Sequence, residues 1–206
     1  MIKRLIMIGA GGHAKVVLEI IMQQGLELYG ISAPRITDYF DRFSEVLRFS
    51  SDEEIFHFKA SEVILINGIG HTPRSSSRAD VYNKFRKRGY EFLTIKSNLS
   101  CISSSSKIGM GAQIMPGAII NSDANIGENT IVNTGSIVEH DCLIGSNNHI
   151  APGCVLCGGV VTKKQVFVGA GSIVLPRVII GENVLIAAGS TVPSSSSSSI
   201  RKNGLV

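Results

Sequence analysis

Tryptophan is absent from the 206 residues, and aromatic residues together make up only 6%. A core without large rings must be built from aliphatic side chains, which suits thin, repeated layers. Long apolar runs are missing as well. No stretch reaches the roughly 20 residues that span a bilayer. The apolar segment at residues 5–8 is too short for the hydrophobic region of a signal peptide and ends in a glycine turn. Charge of one sign is also scarce. Twenty basic residues against 16 acidic ones give a net charge of +4, spread out apart from a short cluster at residues 84–88. The concentrated basic stripe of a nucleic-acid binder is not there. A mildly positive surface still favours anionic small molecules such as nucleotides or phosphate-bearing cofactors.

What is present is aliphatic content, 44% hydrophobic residues overall, and 22 glycines. Residues 1–97 read as an α/β unit. Residues 5–8 form a short buried strand, followed by the turn Gly9-Ala-Gly11-Gly12-His13-Ala14. Residues 14–24 carry Val16, Val17, Ile20 and Ile21 at helical spacing. Residues 26–31 and 63–66 read as two further strands, the latter running into Asn67-Gly68-Ile69-Gly70. A charged amphipathic helix over 78–87 and a last strand over 92–95 complete the unit. Alternating strands and helices imply a parallel, Rossmann-like sheet with right-handed crossovers.

The second half changes character. From Ile102, every sixth residue to Val192 is aliphatic in fifteen of sixteen cases, Thr162 being the exception. Glycine follows directly at Gly109, Gly127, Gly145, Gly169 and Gly181. Period six fits neither a helix nor an alternating strand. It fits a short strand plus a tight turn, with three such units closing one triangular coil and each coil buried by its neighbours. Residues 98–206 are therefore expected to be a left-handed parallel β-helix of hexapeptide repeats, about five coils deep. The serine run at residues 103–106 keeps the register and belongs to ordered repeat positions, whereas those at 75–77 and 194–199 read as linkers. The break at Thr162-Lys-Lys164 reads as a loop bulging from the solenoid. Cys154 and Cys157 form a C-x-x-C without the second pair that a zinc site needs. Cys142 and Cys154 fall where the repeat wants a small residue, so packing accounts for them, and reduced thiols in a cytoplasmic protein are expected.

A Gly-x-Gly-Gly-His α/β unit followed by hexapeptide repeats resembles the sugar O-/N-acyltransferase family, which includes the sialic acid O-acetyltransferases and the UDP-4-amino-sugar N-acetyltransferases. The strongest match is Asn133-Thr-Gly-Ser-Ile-Val-Glu-His140-Asp141-Cys-Leu-Ile-Gly-Ser-Asn-Asn-His149-Ile-Ala-Pro-Gly153. The resemblance implies an acetyl-CoA-dependent acetyltransferase that needs no metal. It makes His140 the catalytic base, places Asp141 beside it, and puts His149 near the acetyl-CoA thioester. It maps coenzyme contacts to Ala170 and Ala188. It assigns the first unit to a UDP-sugar, held by Gly11, Gly12, His13 and Gly70. The family's acidic pair after the second strand is missing, and Asp38 is the candidate replacement. The chain also departs at its end, where Pro193 and six serines stand in place of the family's Gly-Asn-Pro-Ala-type strand.

The chemistry suits the residues. Acyl transfer to an amine or hydroxyl needs a base that works near neutral pH, and imidazole is the side chain for that. A carboxylate on the other ring nitrogen, from Asp141 or Glu139, fixes the tautomer and stabilises the imidazolium. Gly158 and Gly159 are candidate backbone donors to the oxyanion. His149 reads as a turn residue half a coil from His140, on another face of the prism, so a compact site using both implies a homotrimer with intersubunit active sites. Two alternatives stay open: O-acetylation of sialic acid or a related sugar, and a non-catalytic nucleotide-sugar-binding scaffold. A metal hydrolase on the same solenoid would need three histidines, and only two lie in the repeats. The glycine loop also fits G-x-G-x-x-A, but the acid that a dinucleotide site wants after the second strand is not met before Asp38, which disfavours NAD.

Overall fold

A computed structural model describes residues 3–33, 46–73, 75–193 and 199–200, of the last pair the backbone alone. The chain divides into two compact units, Met1–Leu93 and Thr94–Val206. Residues 94–97, placed by sequence in the first unit, belong to the second, because Ile95 pairs with Gln113 and Lys96 with Ile114.

The first unit is a four-stranded parallel sheet. Its strands are β1 (Arg4–Ile8), β2 (Gly30–Ser32), β3 (Leu47–Phe49) and β4 (Val63–Asn67), in the order β3-β2-β1-β4. Strands β1 and β4 are nearly continuous apolar runs, as parallel strands covered on both faces must be. Helix α1 (Gly12–Gln23) returns over the sheet and buries Ala14, Val17, Leu18, Ile20 and Ile21. Val16, expected on that buried face, is 40% exposed. Helix α2 (Ser77–Arg86) buries Arg78, Ala79, Tyr82 and Phe85. The second strand starts later than its apolar sequence suggests. Gly25 is left-handed and Leu26 N–H still bonds Ile21 O, so residues 25–28 are spent closing α1. Strand β3, only three residues long with Arg48 at its centre, carries no alternation to announce it. Eleven of the twelve aromatic residues precede residue 94. Phe56, Tyr82, Phe85, Tyr90 and Phe92 form one ring cluster in this unit.

The second unit is the left-handed parallel β-helix. Three six-stranded parallel sheets form its faces, and ladder partners are 18 residues apart, as in Ile126 with Ile108 and Ile144, except at the last rung, where Ile180 pairs with Ile200. Each face is six strands deep, and the three faces begin at Ile95–Lys96, Cys101–Ile102 and Lys107–Ile108. Every repeat aliphatic from Ile114 to Val192 is buried, and Ile102 and Ile108 pack partly against that core. Each fully buried Ile or Val contributes about 1.5–3 kcal/mol.

The corners explain the spacing. Every sixth residue from Gly111 to Gly189 has φ between 55° and 72°, the left-handed region. Glycine, asparagine and aspartate fill these positions apart from Gln165 and Arg177. The glycine after the aliphatic residue serves a different need. A methyl group on Gly145 would lie 2.5 Å from Lys163 O of the next coil, where backbone stacks on backbone.

The small inward positions are bonded rather than merely filled. Ser136 Oγ donates to Ala151 O (2.8 Å) and Cys154 Sγ to Gly169 O (3.0 Å). Burial pushes the Cys142 thiol up to about 11 and raises that of Cys154. Both are structural groups and not thiolates.

Thr162 does not start a bulge. Val161–Thr162 is a regular strand, paired with Leu143–Ile144 below and Ile179–Ile180 above. Its side chain is buried where the other rungs carry an aliphatic, and its hydroxyl has partners. Asn148 Nδ2 and Gly145 N–H donate to Thr162 Oγ1 at 2.5 and 3.1 Å, and Val166 N–H donates to Asn148 Oδ1 at 2.7 Å. A buried hydroxyl so satisfied is tolerated, since leaving it unbonded is what costs about 1–3 kcal/mol.

Candidate active site

His140 stands at a corner of the solenoid, between the strands Ile137–Val138 and Leu143–Ile144. Adjacent residues on a strand point to opposite faces, but His140 and Asp141 are in a turn. Asp141 has φ 60°. This brings its carboxylate back to its neighbour, with Oδ2 2.8 Å from His140 Nδ1. An ionised carboxylate only accepts, so the ring donates Nδ1–H and keeps its lone pair on Nε2. Both side chains are open to solvent, 62% and 67% exposed.

One coil later, eighteen residues on, the chain passes through Gly158. A methyl group there would sit 2.6 Å from His140 Nε2. The imidazole thus lies across the bare face of Gly158, its free nitrogen toward the glycine. The Gly158 N–H makes no hydrogen bond among the described residues, so it is available to an incoming oxygen. Gly159, the other candidate donor, is excluded because its N–H is bonded to His140 O at 2.9 Å. Glu139 N–H is spent on Leu156 O in the sheet ladder. The structure therefore joins His140, Asp141 and Gly158 in one stacked corner.

His149 is not a turn residue. It begins the strand His149–Ile150, is 8% exposed, and pairs in register with Ile131 and Phe167. Its ring meets that of Phe167 edge-on, with centroids 4.9 Å apart, and Nε2 lies 3.1 Å from Asn133 Nδ2. Ala170 and Ala188 stack on another corner, where Gly189 N–H bonds Ala170 O at 2.8 Å. Both alanines are exposed, and their own N–H groups make no hydrogen bond among the described residues.

In the first unit, two glycine loops meet where the neighbouring parallel strands β1 and β4 end. A methyl group on Gly68 would lie 2.7 Å from Gly9 O, and one on Gly70 3.2 Å from His13 Cβ. The gap between β1 and β4 is the point at which the strand order reverses, the usual ligand crevice of an open α/β sheet. Gly11 caps α1 with no side-chain bond. Nothing lies within 4 Å of a methyl group placed on Gly11 or Gly12, so the turn that opens α1 is uncrowded there. Such an end favours a phosphate. Gly11, Gly12, His13 and Gly70 are thus together. Asp38 lies outside the described residues.

Two groups here were not singled out by sequence. Arg78 is buried, with its guanidinium donating to Asn67 O (3.0 Å) and Ile69 O (2.6 Å), so it sets the path of the second loop. His71 beside it is held down at about 4 by burial and then by the Arg78 charge, and is neutral at physiological pH. A lone basic residue opening an amphipathic helix gives no signal of such burial. Among the described residues no group of three His, Cys, Asp or Glu is placed to hold a metal ion, and no helix is long and apolar enough to cross a membrane.

The family comparisons agree with this architecture. Residues 4–85 match the PglD N-terminal domain, and residues 123–158 and 159–194 each match the bacterial transferase hexapeptide (six repeats). A search among curated proteins returned no match. Among solved structures, PerB from Caulobacter crescentus in complex with CoA and GDP-perosamine is 29% identical. It aligns over 100% of this chain and 94% of its own with a TM-score of 0.85. A variant of the perosamine N-acetyltransferase from the same organism, also with CoA and GDP-perosamine, is 28% identical over 100% and 93% of the two chains, again with a TM-score of 0.85. The acetyltransferase domain of PglB from Neisseria gonorrhoeae FA1090, 23% identical over 93% and 91%, shares the fold with a TM-score of 0.83. A PglD N-terminal domain followed by hexapeptide repeats, on a fold shared end to end with a sugar N-acetyltransferase, fits the hexapeptide-repeat sugar acyltransferase family.

Proposed function

We propose that the protein transfers an acetyl group from acetyl-CoA to the amine of a nucleotide-activated amino sugar, with His140 as general base. The observation that carries this reading is the His140 corner: Nδ1 held by Asp141 at 2.8 Å and Nε2 presented across Gly158. Bound acetyl-CoA supplies the acyl group as a thioester. As the amine attacks the thioester carbonyl, His140 Nε2 takes its proton, and the imidazolium is stabilised by the Asp141 carboxylate. The Gly158 N–H is the donor proposed for the developing oxyanion. The carbon–sulfur bond then breaks, and the proton on His140 goes to the departing thiolate. The exposed Ala170 and Ala188 corner, whose N–H groups make no hydrogen bond among the described residues, suits the extended arm of the coenzyme. In this scheme His149 acts from a packed position against Phe167 and Asn133.

The amino-sugar nucleotide is proposed to sit with its phosphates at Gly11, Gly12 and His13 and to be closed in by Gly70. UDP is the nucleotide implied by the family resemblance. The relatives at 28–29% identity hold GDP-perosamine, so both nucleotides belong in the test. The screen offers acetyl-CoA with UDP- and GDP-linked 4-amino sugars and with free sialic acid, and follows thiol release. Release with a nucleotide amino sugar is expected. Release with sialic acid alone would replace this reading by O-acetylation, and no release together with no coenzyme binding would leave a scaffold.

The outer surface supports a homotrimer. Outward positions on a solvated sheet are normally polar. Here one face carries Ile119, Ile137, Val155 and Ile173 and the next carries Leu143, Val161 and Ile179. Leu143, Ile179 and Ile173 are 51%, 44% and 40% exposed in the single chain. Aligned apolar columns of this kind mark an interface. Sedimentation equilibrium should give three times the 22.0 kDa chain mass, and a single-chain mass would refute the trimer. Four free cysteines suit the cytoplasmic setting proposed for it.

A further inference from the structure

The glycine-rich fingerprint calls for an acid at the tip of the second strand. It is missing there in sequence and present there in space. Strand β2 ends at Ser32, which is buried. The Ser32 carbonyl accepts the N–H of Gly9, in the glycine loop, at 2.7 Å. The Ser32 hydroxyl donates to Asp52 Oδ1 at 2.8 Å. Asp52 opens the 3₁₀-helix Asp52–His57, which follows β3. One buried serine therefore ties the glycine loop on one side to a carboxylate on the other. Asp52 Oδ2 is 3.6 Å from Lys84 Nζ, whose nearer partner is Glu53 at 2.9 Å. The Asp52 side chain keeps 22% exposure.

We infer that Asp52 is the carboxylate that reads the ribose 2′-hydroxyl of the bound nucleotide. The inference rests on the reading above that this unit binds a nucleotide sugar. Strand β2 lies directly beside β1 in the sheet, so a ligand with its phosphates at the α1 N-terminus extends its ribose over the end of β2. A ribose hydroxyl is a donor, and an ionised carboxylate is an acceptor with lone pairs to spare. Ser32 fixes one oxygen, and the other, 3.6 Å from Lys84 Nζ, keeps lone pairs for a hydroxyl donor. The residue comes from beyond β3 rather than from the strand tip, which is why linear spacing does not find it.

The test is calorimetric titration of the full-length protein with GDP and UDP and with their 2′-deoxy counterparts. The wild type should bind whichever ribonucleotide it accepts about ten- to hundredfold more tightly than the deoxy form, the worth of a hydrogen bond to a charged group. In Asp52→Asn the ribose-to-deoxy ratio should fall toward one, with acetyl-CoA affinity unchanged. If that variant fails to fold, Ser32→Ala carries the test, because it frees the carboxylate without removing it and should shrink the ratio severalfold. Equal binding of ribo- and deoxynucleotide by the wild type would overturn the inference, as would an unchanged ratio in the variants. Absence of any nucleotide binding would instead overturn the nucleotide-sugar reading, and this inference with it.

Discussion

His140→Ala is expected to lower kcat by about 10²- to 10⁴-fold, the range that a positioned general base contributes. The loss should come without unfolding. The His140 ring is 62% exposed, and its side-chain partner Asp141 is 67% exposed. Exposed substitutions of this kind stay within about 0.5 kcal/mol in stability. Binding of acetyl-CoA should be little changed, because the ring acts on the acceptor's proton rather than on the coenzyme. Stopped-flow thiol release, thermal melting and coenzyme titration together separate these effects. A variant that melts much earlier than the wild type would show that His140 holds the corner together.

Gly158→Ala is expected to cut kcat/KM by about 10- to 100-fold, because misplacing a catalytic group by about 1 Å has costs of that order. The added methyl would lie 2.6 Å from His140 Nε2 and 2.7 Å from Cε1. The imidazole is a solvent-facing ring that can swing away, so the fold should survive while the base moves off its line of attack. Gly145→Ala is the control. Its methyl meets the Lys163 backbone at 2.5 Å, which cannot swing, so that variant should lose stability by about 1–3 kcal/mol. The pair separates a glycine kept for the chemistry from one kept for the coil. Equal melting losses in both would refute the assignment of Gly158 to the site.

Much of the fold was legible because a period of six has few structural solutions. Aliphatic residues at fifteen of sixteen positions fix both strand and turn, whereas the left-handed corners at Gly, Asn and Asp positions emerge only in the structure. Single departures were not legible. Thr162 looked like a break because sequence shows its hydroxyl and not its partners, Asn148 and Gly145. His149 looked like a turn residue, whereas the rung places it in a strand under Phe167. The His140–Asp141 pair was readable from the motif, but its geometry depends on the positive φ of Asp141. Which glycine N–H stays free, Gly158 and not Gly159, is decided by stacking on the coil below. Asp52 reaches the end of β2 only through the fold. The proposal that the glycine loop holds a nucleotide sugar therefore rests on the family resemblance and on the GDP-perosamine bound by the relatives at 28–29% identity.

The central claim is that His140 removes the proton from the attacking amine. Its most direct test is the rate of thiol release by His140→Ala with acetyl-CoA and the acceptor found in the screen, measured with increasing free imidazole. The expected result is a rate at least about a hundredfold below wild type, recovering in part as imidazole occupies the space left above Gly158. A variant rate close to that of the wild type without imidazole would contradict it.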